Sequence, residues 1–272
     1  MHVHRKFSYN NSCARQTADR SLTEKPIDRF FVPQACPAAR TRLFCIPYAG
    51  SWPWAFRAWP AGLSDVEVCV CYLPGRGNPL MDSASSCMGS FVAALRNAMV
   101  PLLNKPYAIF GHSLGALIAY ELAGELERAG NLRPLRLFVS GCPAPARQAL
   151  RPSLHELSDD RLISILREWD GTPAAVLENP ELLRMTLTLI RADLKLARGQ
   201  GMPTVAVECP MTAFFGTADS EASRADVMEW RGHARGPFDV CDFPGGHFFI
   251  HTHVERVLGT LQHYLRNTST AL

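Results

Sequence analysis

A serine flanked by two glycines is the residue in this chain best placed for covalent chemistry. Ser113 lies in Gly111-His112-Ser113-Leu114-Gly115, directly after the apolar run Tyr107 to Phe110 and directly before Leu117, Ile118, Tyr120, Glu121, Leu122 and Glu125. A strand, a tight turn and a helix in that order are the setting of a nucleophile elbow. The glycines answer a crowding problem: the turn forces the serine into strained backbone geometry, and neighbours without a Cβ let strand and helix approach closely. Oγ is then thrust outward, while the helix opening at Leu114 aims unpaired N–H groups and its positive dipole end at the same spot. The motif alone also describes an ordinary Gly-Ser loop, so the flanking elements carry the reading.

Serine is a weak nucleophile near neutral pH and needs a base oriented by a carboxylate. Nine histidines compete for the first role, and catalytic groups gather at the carboxyl ends of parallel strands. His247 follows the strand read over Phe238 to Phe243, in a loop opened by Gly245 and Gly246. His112 is inside the elbow, His233 has no strand before it, and His251 and His253 fall in the helix expected next. Asp219 directly follows Met211 to Gly216, with Glu221 as its nearest rival; Asp226 falls on a helix, and Asp239 and Asp242 lie within a strand or at its end. The order Ser, Asp, His suits a nucleophile, an orienting acid and a base. Oγ of Ser113 would attack a carbonyl, His247 would take its proton, and Asp219 would hold the imidazole. The N–H groups of Leu114 and of Ala49 or Gly50 would receive the oxyanion, at about 3 kcal/mol per donor. This chemistry requires neither a metal nor an organic cofactor.

The elements around these residues alternate. Arg42 to Pro47, Val66 to Leu73, Tyr107 to Phe110 and Leu135 to Gly141 read as strands, separated by helical patterns around Trp54 to Leu63, Ser86 to Leu103 and the stretch after Ser113. That rhythm predicts a mostly parallel sheet with helices on both faces. Between Cys142 and Glu208 the strands stop and amphipathic helical spacings take over, at Leu162, Ile163, Leu166, Trp169 and at Leu183, Leu187, Ile190, Leu194. An excursion of that length is read as a lid over the site. The expected organisation is a flexible extension over 1–27, a core over 28–141 and 209–272, and a helical lid over 142–208. Arg76, in the turn Pro74 to Pro79, is read as a solvated loop arginine and not as a site residue.

Composition narrows the partners. A net charge of +3 with both signs interspersed, 47% hydrophobic and 19% charged residues describe an ordinary globular protein and supply no argument for nucleic-acid or membrane binding. The nine cysteines show no zinc spacing, and Cys69 and Cys71, two apart on one strand, face the same side. Reduced thiols, no long apolar segment and no secretory leader predict a cytoplasmic location.

Set side by side, LFCIPYAG (43–50), LPGRG (73–77), YAIFGHSLGA (107–116), Gly171-Thr172-Pro173, Arg191-Ala192-Asp193 and PGGHFF (244–249) make the sequence resemble the type II thioesterases over about residues 42–265. These are stand-alone α/β-hydrolases that accompany polyketide synthases and nonribosomal peptide synthetases. The resemblance implies the α/β-hydrolase fold and hydrolysis of acyl groups from the phosphopantetheine thiol of acyl or peptidyl carrier proteins, removing aberrant or stalled chains. It maps nucleophile, acid and base onto Ser113, Asp219 and His247, and the oxyanion donors onto the backbone of Ala49 and Leu114. A monomer without cofactor, nucleic acid or membrane partner is expected. Ser51 replaces a glycine usual in the family, and Gly216-Thr217-Ala218-Asp219 keeps only the last aspartate of its Gly-Asp-x-Asp. A general carboxylesterase or lipase on the same fold, and an inactive scaffold that only binds carrier protein, are the rival readings.

Overall fold

The computed structural model describes residues 30–34, 36–76, 87–130, 132–197 and 206–269, so the extension expected over 1–27 lies outside the described residues. Seven strands form one sheet: β1 Phe31–Pro33, β2 Thr41–Ile46, β3 Val66–Cys71, β4 Tyr107–His112, β5 Leu137–Ser140, β6 Met211–Gly216 and β7 Phe238–Phe243. Their spatial order is β1-β3-β2-β4-β5-β6-β7. Every pairing is parallel except that of β1 with β3. Strands β2, β4, β5 and β6 are buried throughout, which explains their near-continuous apolar runs.

The helices are α1 Trp59–Gly62, α2 Met88–Met99, α3 Leu114–Arg128, α4 Pro145–Ala149, α5 Asp159–Trp169, α6 Ala174–Leu177, α7 Pro180–Leu196, α8 Arg224–Met228, α9 Phe249–Thr252 and α10 Val254–Ser269. The period of two along the strands divides the core. Phe44, Cys69, Cys71, Ile109 and Ala213 face α2 and α3 on one side of the sheet. Leu43, Val68, Val70, Phe110 and Phe214 share the other side with Trp59 of α1 and Val257, Leu261 and Leu265 of α10. Helices α4 to α7 follow one another between β5 and β6, and Leu162 and Leu166 of α5 pack with Leu187 and Ile190 of α7 into a cluster of their own.

Several boundaries differ from the sequence reading. β1 was not anticipated, because an antiparallel edge strand of three residues is too short to show a period. The region Trp54 to Leu63 divides into a 3-10 turn at Pro53–Phe56 and the short α1, and the last helix is interrupted at His253 between α9 and α10. Strand β3 stops at Cys71, two residues earlier than its apolar run.

The elbow is a tight backbone junction. A Cβ on Gly111 would collide with the carbonyl of Gly115, and one on Gly115 with the carbonyl oxygen of Ile46 at the end of β2. Both obstacles are backbone and neither can rotate away. Gly115→Ala is therefore expected to cost about 3 kcal/mol of stability through overpacking, read as a lowered urea midpoint; an unchanged midpoint would contradict this close approach.

Candidate active site

The elbow holds Ser113 at φ 56° and ψ −119°, a left-handed region that non-glycine residues rarely occupy. Its N–H donates to the carbonyl of Ser140 at 2.8 Å, tying the turn to the end of β5. The half-buried serine side chain opens onto a cavity of 430 Å³ that His247 also lines.

His247 and Asp219 come from adjacent loops at the carboxyl ends of β7 and β6. The Ala218 N–H donates to the Gly245 carbonyl at 2.9 Å and the Thr217 N–H to the Phe243 carbonyl at 2.8 Å, so the two loops are joined backbone to backbone. Gly216 permits this contact: a Cβ there would run into the carbonyls of Gly245 and Gly246. Asp219 faces Nδ1 of His247 with Oδ2 at 3.0 Å and Oδ1 at 3.2 Å, and both side chains are out of solvent. The Glu221 N–H donates to Oδ1 of Asp219 at 2.8 Å. With Nδ1 engaged by the carboxylate, Nε2 is the ring nitrogen left to exchange a proton.

The competing residues have other partners. Glu221 directs its carboxylate to Arg151 at 3.2 Å. Tyr120 and His233 pair at 3.2 Å, Tyr48 and His251 at 3.0 Å, and Thr252 and His253 at 3.0 Å. His112 is fully buried, bonds Ser140 Oγ through Nδ1 at 2.9 Å, and stands 5.1 Å ring to ring from His247. Burial, then the neighbouring His247 and His251, push its pKa well below the usual histidine value. His112 is thus neutral near pH 7 and adds no competing charge beside the base. Burial likewise lowers His251 and raises Tyr48 to about 12.

Of the two residues considered for the first oxyanion donor, Gly50 is already committed: its N–H donates to Oδ2 of Asp193 on α7 at 2.8 Å. That leaves the Ala49 N–H, together with that of Leu114, which as the first residue of α3 has no intrahelical acceptor. Ala49 and Ser113 line the same cavity.

Arg76 corrects the sequence reading. Its side chain is entirely buried and pairs with Asp193 at 2.5 Å, because that carboxylate on α7 and the carbonyls of Ser51 and Pro74 replace the water that a loop arginine would otherwise need. Burial pushes the Asp193 carboxyl up against the opposing pull of Arg76 and the Gly50 amide. Trp169 was also unforeseen as a site residue; its ring lies 5.3 Å from that of His247. Its apolar spacing on α5 signalled packing, and nothing local signalled against what.

The main cavity is walled by apolar side chains of α5 to α7, including Leu166, Val176 and Leu189, and by Trp52 and Trp54, whose rings stack at 4.9 Å. Trp54, Leu182 and Met185 remain 60%, 44% and 58% exposed at its rim. A smaller cavity of 40 Å³ meets the first at Ser113, Trp169, Leu194 and His247, and adds Gln148, Arg151 and Glu221. Among the described residues no group of three or more His, Cys, Asp or Glu side chains is arranged to hold a metal.

Comparison with known proteins agrees with this geometry. Residues 41–265 match the family profile "Thioesterase domain". The gramicidin S biosynthesis protein GrsT of Aneurinibacillus migulanus is 38% identical over 216 residues, covering 79% of this chain and 84% of the relative. Thioesterase PikA5 of Streptomyces venezuelae is 32% identical over 271 residues, covering 92% of each. Among solved structures, the RedJ thioesterase from the prodiginine biosynthetic pathway of Streptomyces coelicolor superposes with a TM-score of 0.78 at 36% identity, covering 92% of this chain and 96% of that one. The chain belongs to the thioesterase family, enzymes of the α/β-hydrolase fold that hydrolyse acyl thioesters.

Proposed function

We propose that Ser113, His247 and Asp219 are a catalytic triad that hydrolyses acyl thioesters borne on the phosphopantetheine arm of carrier proteins, releasing aberrant or stalled chains during polyketide or nonribosomal peptide synthesis. Oγ of Ser113 attacks the thioester carbonyl carbon as Nε2 of His247 takes the hydroxyl proton. The carbonyl oxygen becomes an oxyanion received by the N–H groups of Ala49 and Leu114. The intermediate then collapses: the C–S bond breaks, the acyl group stays on Oγ, and the proton on Nε2 passes to the departing thiolate. Water, deprotonated by the same nitrogen, attacks the acyl-enzyme and frees the carboxylic acid and the serine. Asp219 holds the ring through Nδ1 and stabilises the imidazolium formed in each half.

The observation that carries the substrate class is the placement of Ser113 where an apolar cavity meets a smaller one that includes Gln148, Arg151 and Glu221. A thioester of this kind has the same asymmetry, with a hydrocarbon chain on the carbonyl side and an amide-bearing arm on the sulfur side. Residues 142–208 act as the lid on a core formed by 28–141 and 209–272, since α5 to α7 supply the cavity wall facing the serine. Relatives named for the gramicidin S and prodiginine pathways support carrier proteins as partners. No helix among the described residues is long and apolar enough to cross a membrane.

The test is a panel of acyl carrier proteins loaded with acyl chains of increasing length, assayed against matched oxygen esters. Higher kcat/KM on the carrier-bound thioesters is expected. A preference for free oxygen esters would favour a general carboxylesterase, and no turnover of either would favour an inactive scaffold.

A further inference from the structure

The turn that carries Ala49 is held from outside the sheet. Asp193, on lid helix α7, accepts the Gly50 N–H through Oδ2 at 2.8 Å. The same carboxylate takes two bonds from Arg76, from NH1 to Oδ1 at 2.9 Å and from NH2 to Oδ2 at 2.5 Å. Arg76 in turn donates through Nε and NH2 to the Ser51 carbonyl, each at 3.1 Å. The Ala49–Gly50 peptide unit is thereby held by its N–H and the Ser51–Trp52 unit by its carbonyl, while the Tyr48–Ala49 unit, which carries the Ala49 N–H, is tied to the same Ser51 through that residue's N–H at 3.2 Å and Oγ at 2.7 Å to the Tyr48 carbonyl. Gly50 itself sits at φ +77°, and a Cβ there would collide with Ile190 of α7, so the helix lies directly against the turn. The side chains of Asp193 and Arg76 are 2% and 0% exposed.

We infer that Asp193 and Arg76 are positioning residues for the oxyanion hole, so that the Ala49 N–H is aimed at the reacting carbonyl only while α7 is docked on the core. An oxyanion donor works because it is preorganised before charge develops. A turn with a left-handed glycine at its centre has little intrinsic preference for one orientation of its peptide units. The external clamp removes that freedom, and it comes from the lid, so covering the acyl chain and assembling the hole become one event. The inference rests on the triad reading above.

The test is Asp193→Asn, assayed for steady-state hydrolysis of an acyl-pantetheine thioester and for binding of an alkylboronic acid, whose tetrahedral adduct with serine places an oxygen in the oxyanion hole. The asparagine matches the aspartate in size but sets an amide group against Arg76 and cannot hold both partners. We expect kcat to fall about 100-fold, with KM within about threefold of wild type and boronate affinity weakened in step with kcat. Thermal stability will fall for either role, because Arg76 is left buried without its counter-charge, so melting alone does not decide. Unchanged kcat and boronate affinity, or a loss confined to KM, would overturn the inference. Should Asp193→Asn fail to fold, Arg76→Lys keeps the charge for Asp193 but gives up the fork to Ser51. It is expected to lose about tenfold in kcat and in boronate affinity, and no loss in either has the same overturning force. Ser113→Ala assayed alongside separates the two levels. Turnover persisting there refutes the triad and this inference with it, whereas turnover abolished there but intact in Asp193→Asn refutes this inference alone.

Discussion

Ser113→Ala is expected to lower kcat by about 10⁴- to 10⁶-fold while leaving the fold and substrate affinity in place. In the proposed mechanism the variant removes the atom that forms the covalent bond, and the acyl-enzyme route closes with it. The proposed oxyanion pair, Ala49 and Leu114, would remain to act on water attack, which is why the expected loss is large but finite. The backbone at this position is held by the Ser113 N–H bond to Ser140 and by the collision-free packing of Gly111 and Gly115, none of which uses the hydroxyl. Alanine therefore inherits the same strained φ of 56°, and stability should stay within about 0.5 kcal/mol. Thiol release from an acyl-pantetheine substrate measures the first quantity, and loss of labelling by a fluorophosphonate shows that the hydroxyl was its target. Residual turnover within tenfold of wild type would assign the chemistry to another group.

Asp219→Asn should cost about 10⁴-fold in kcat, and the hydrogen bonds around the carboxylate explain why a single-atom change is so costly. The Glu221 N–H donates to Oδ1. An asparagine will keep its oxygen on that donor, which turns its NH₂ toward Nδ1 of His247. Nδ1 must then accept, the ring proton moves to Nε2, and the base faces the serine already protonated. The carboxylate that would have stabilised the imidazolium is lost in the same change. Burial sharpens both effects, because the His247 and Asp219 side chains are 3% and 0% exposed and no solvent can substitute. Circular dichroism should be unaltered while acylation by a fluorophosphonate slows in parallel with kcat. An Asp219→Asn enzyme of near-normal rate would mean that another carboxylate orients the base. Glu221 is the alternative raised by the sequence, and its engagement with Arg151 argues against it.

The elbow was legible because its signals are local. An apolar strand, two glycines and an amphipathic helix lie within about twenty consecutive residues, and each follows from sterics or periodicity within that window. Asp219 and His247 were legible for a related reason: each falls in the loop just after a strand, and in a parallel sheet the ends of such strands converge on one edge. Arg76 was misread because its partner is 117 residues away on a helix whose own pattern speaks only of packing. A loop arginine looks the same in sequence whether it ends in water or in a buried carboxylate.

The sequence by itself determined the fold class and singled out Ser113, Asp219 and His247 as the proposed nucleophile, acid and base, since these depend on residue type, hydrophobic period and strand ends. It also left two donors, Ala49 and Gly50, open for the oxyanion turn. Only the tertiary structure showed that the Gly50 amide is spent on Asp193, which favours Ala49 in the proposed oxyanion hole. It also placed the edge strand β1 antiparallel to β3, laid Trp169 over His247 and joined α7 to the turn through Arg76. The physical reason is common to all of these. Hydrogen bonds and burial between distant segments depend on which surfaces meet, and that is set by the packing of the whole chain, not by any local run of residues.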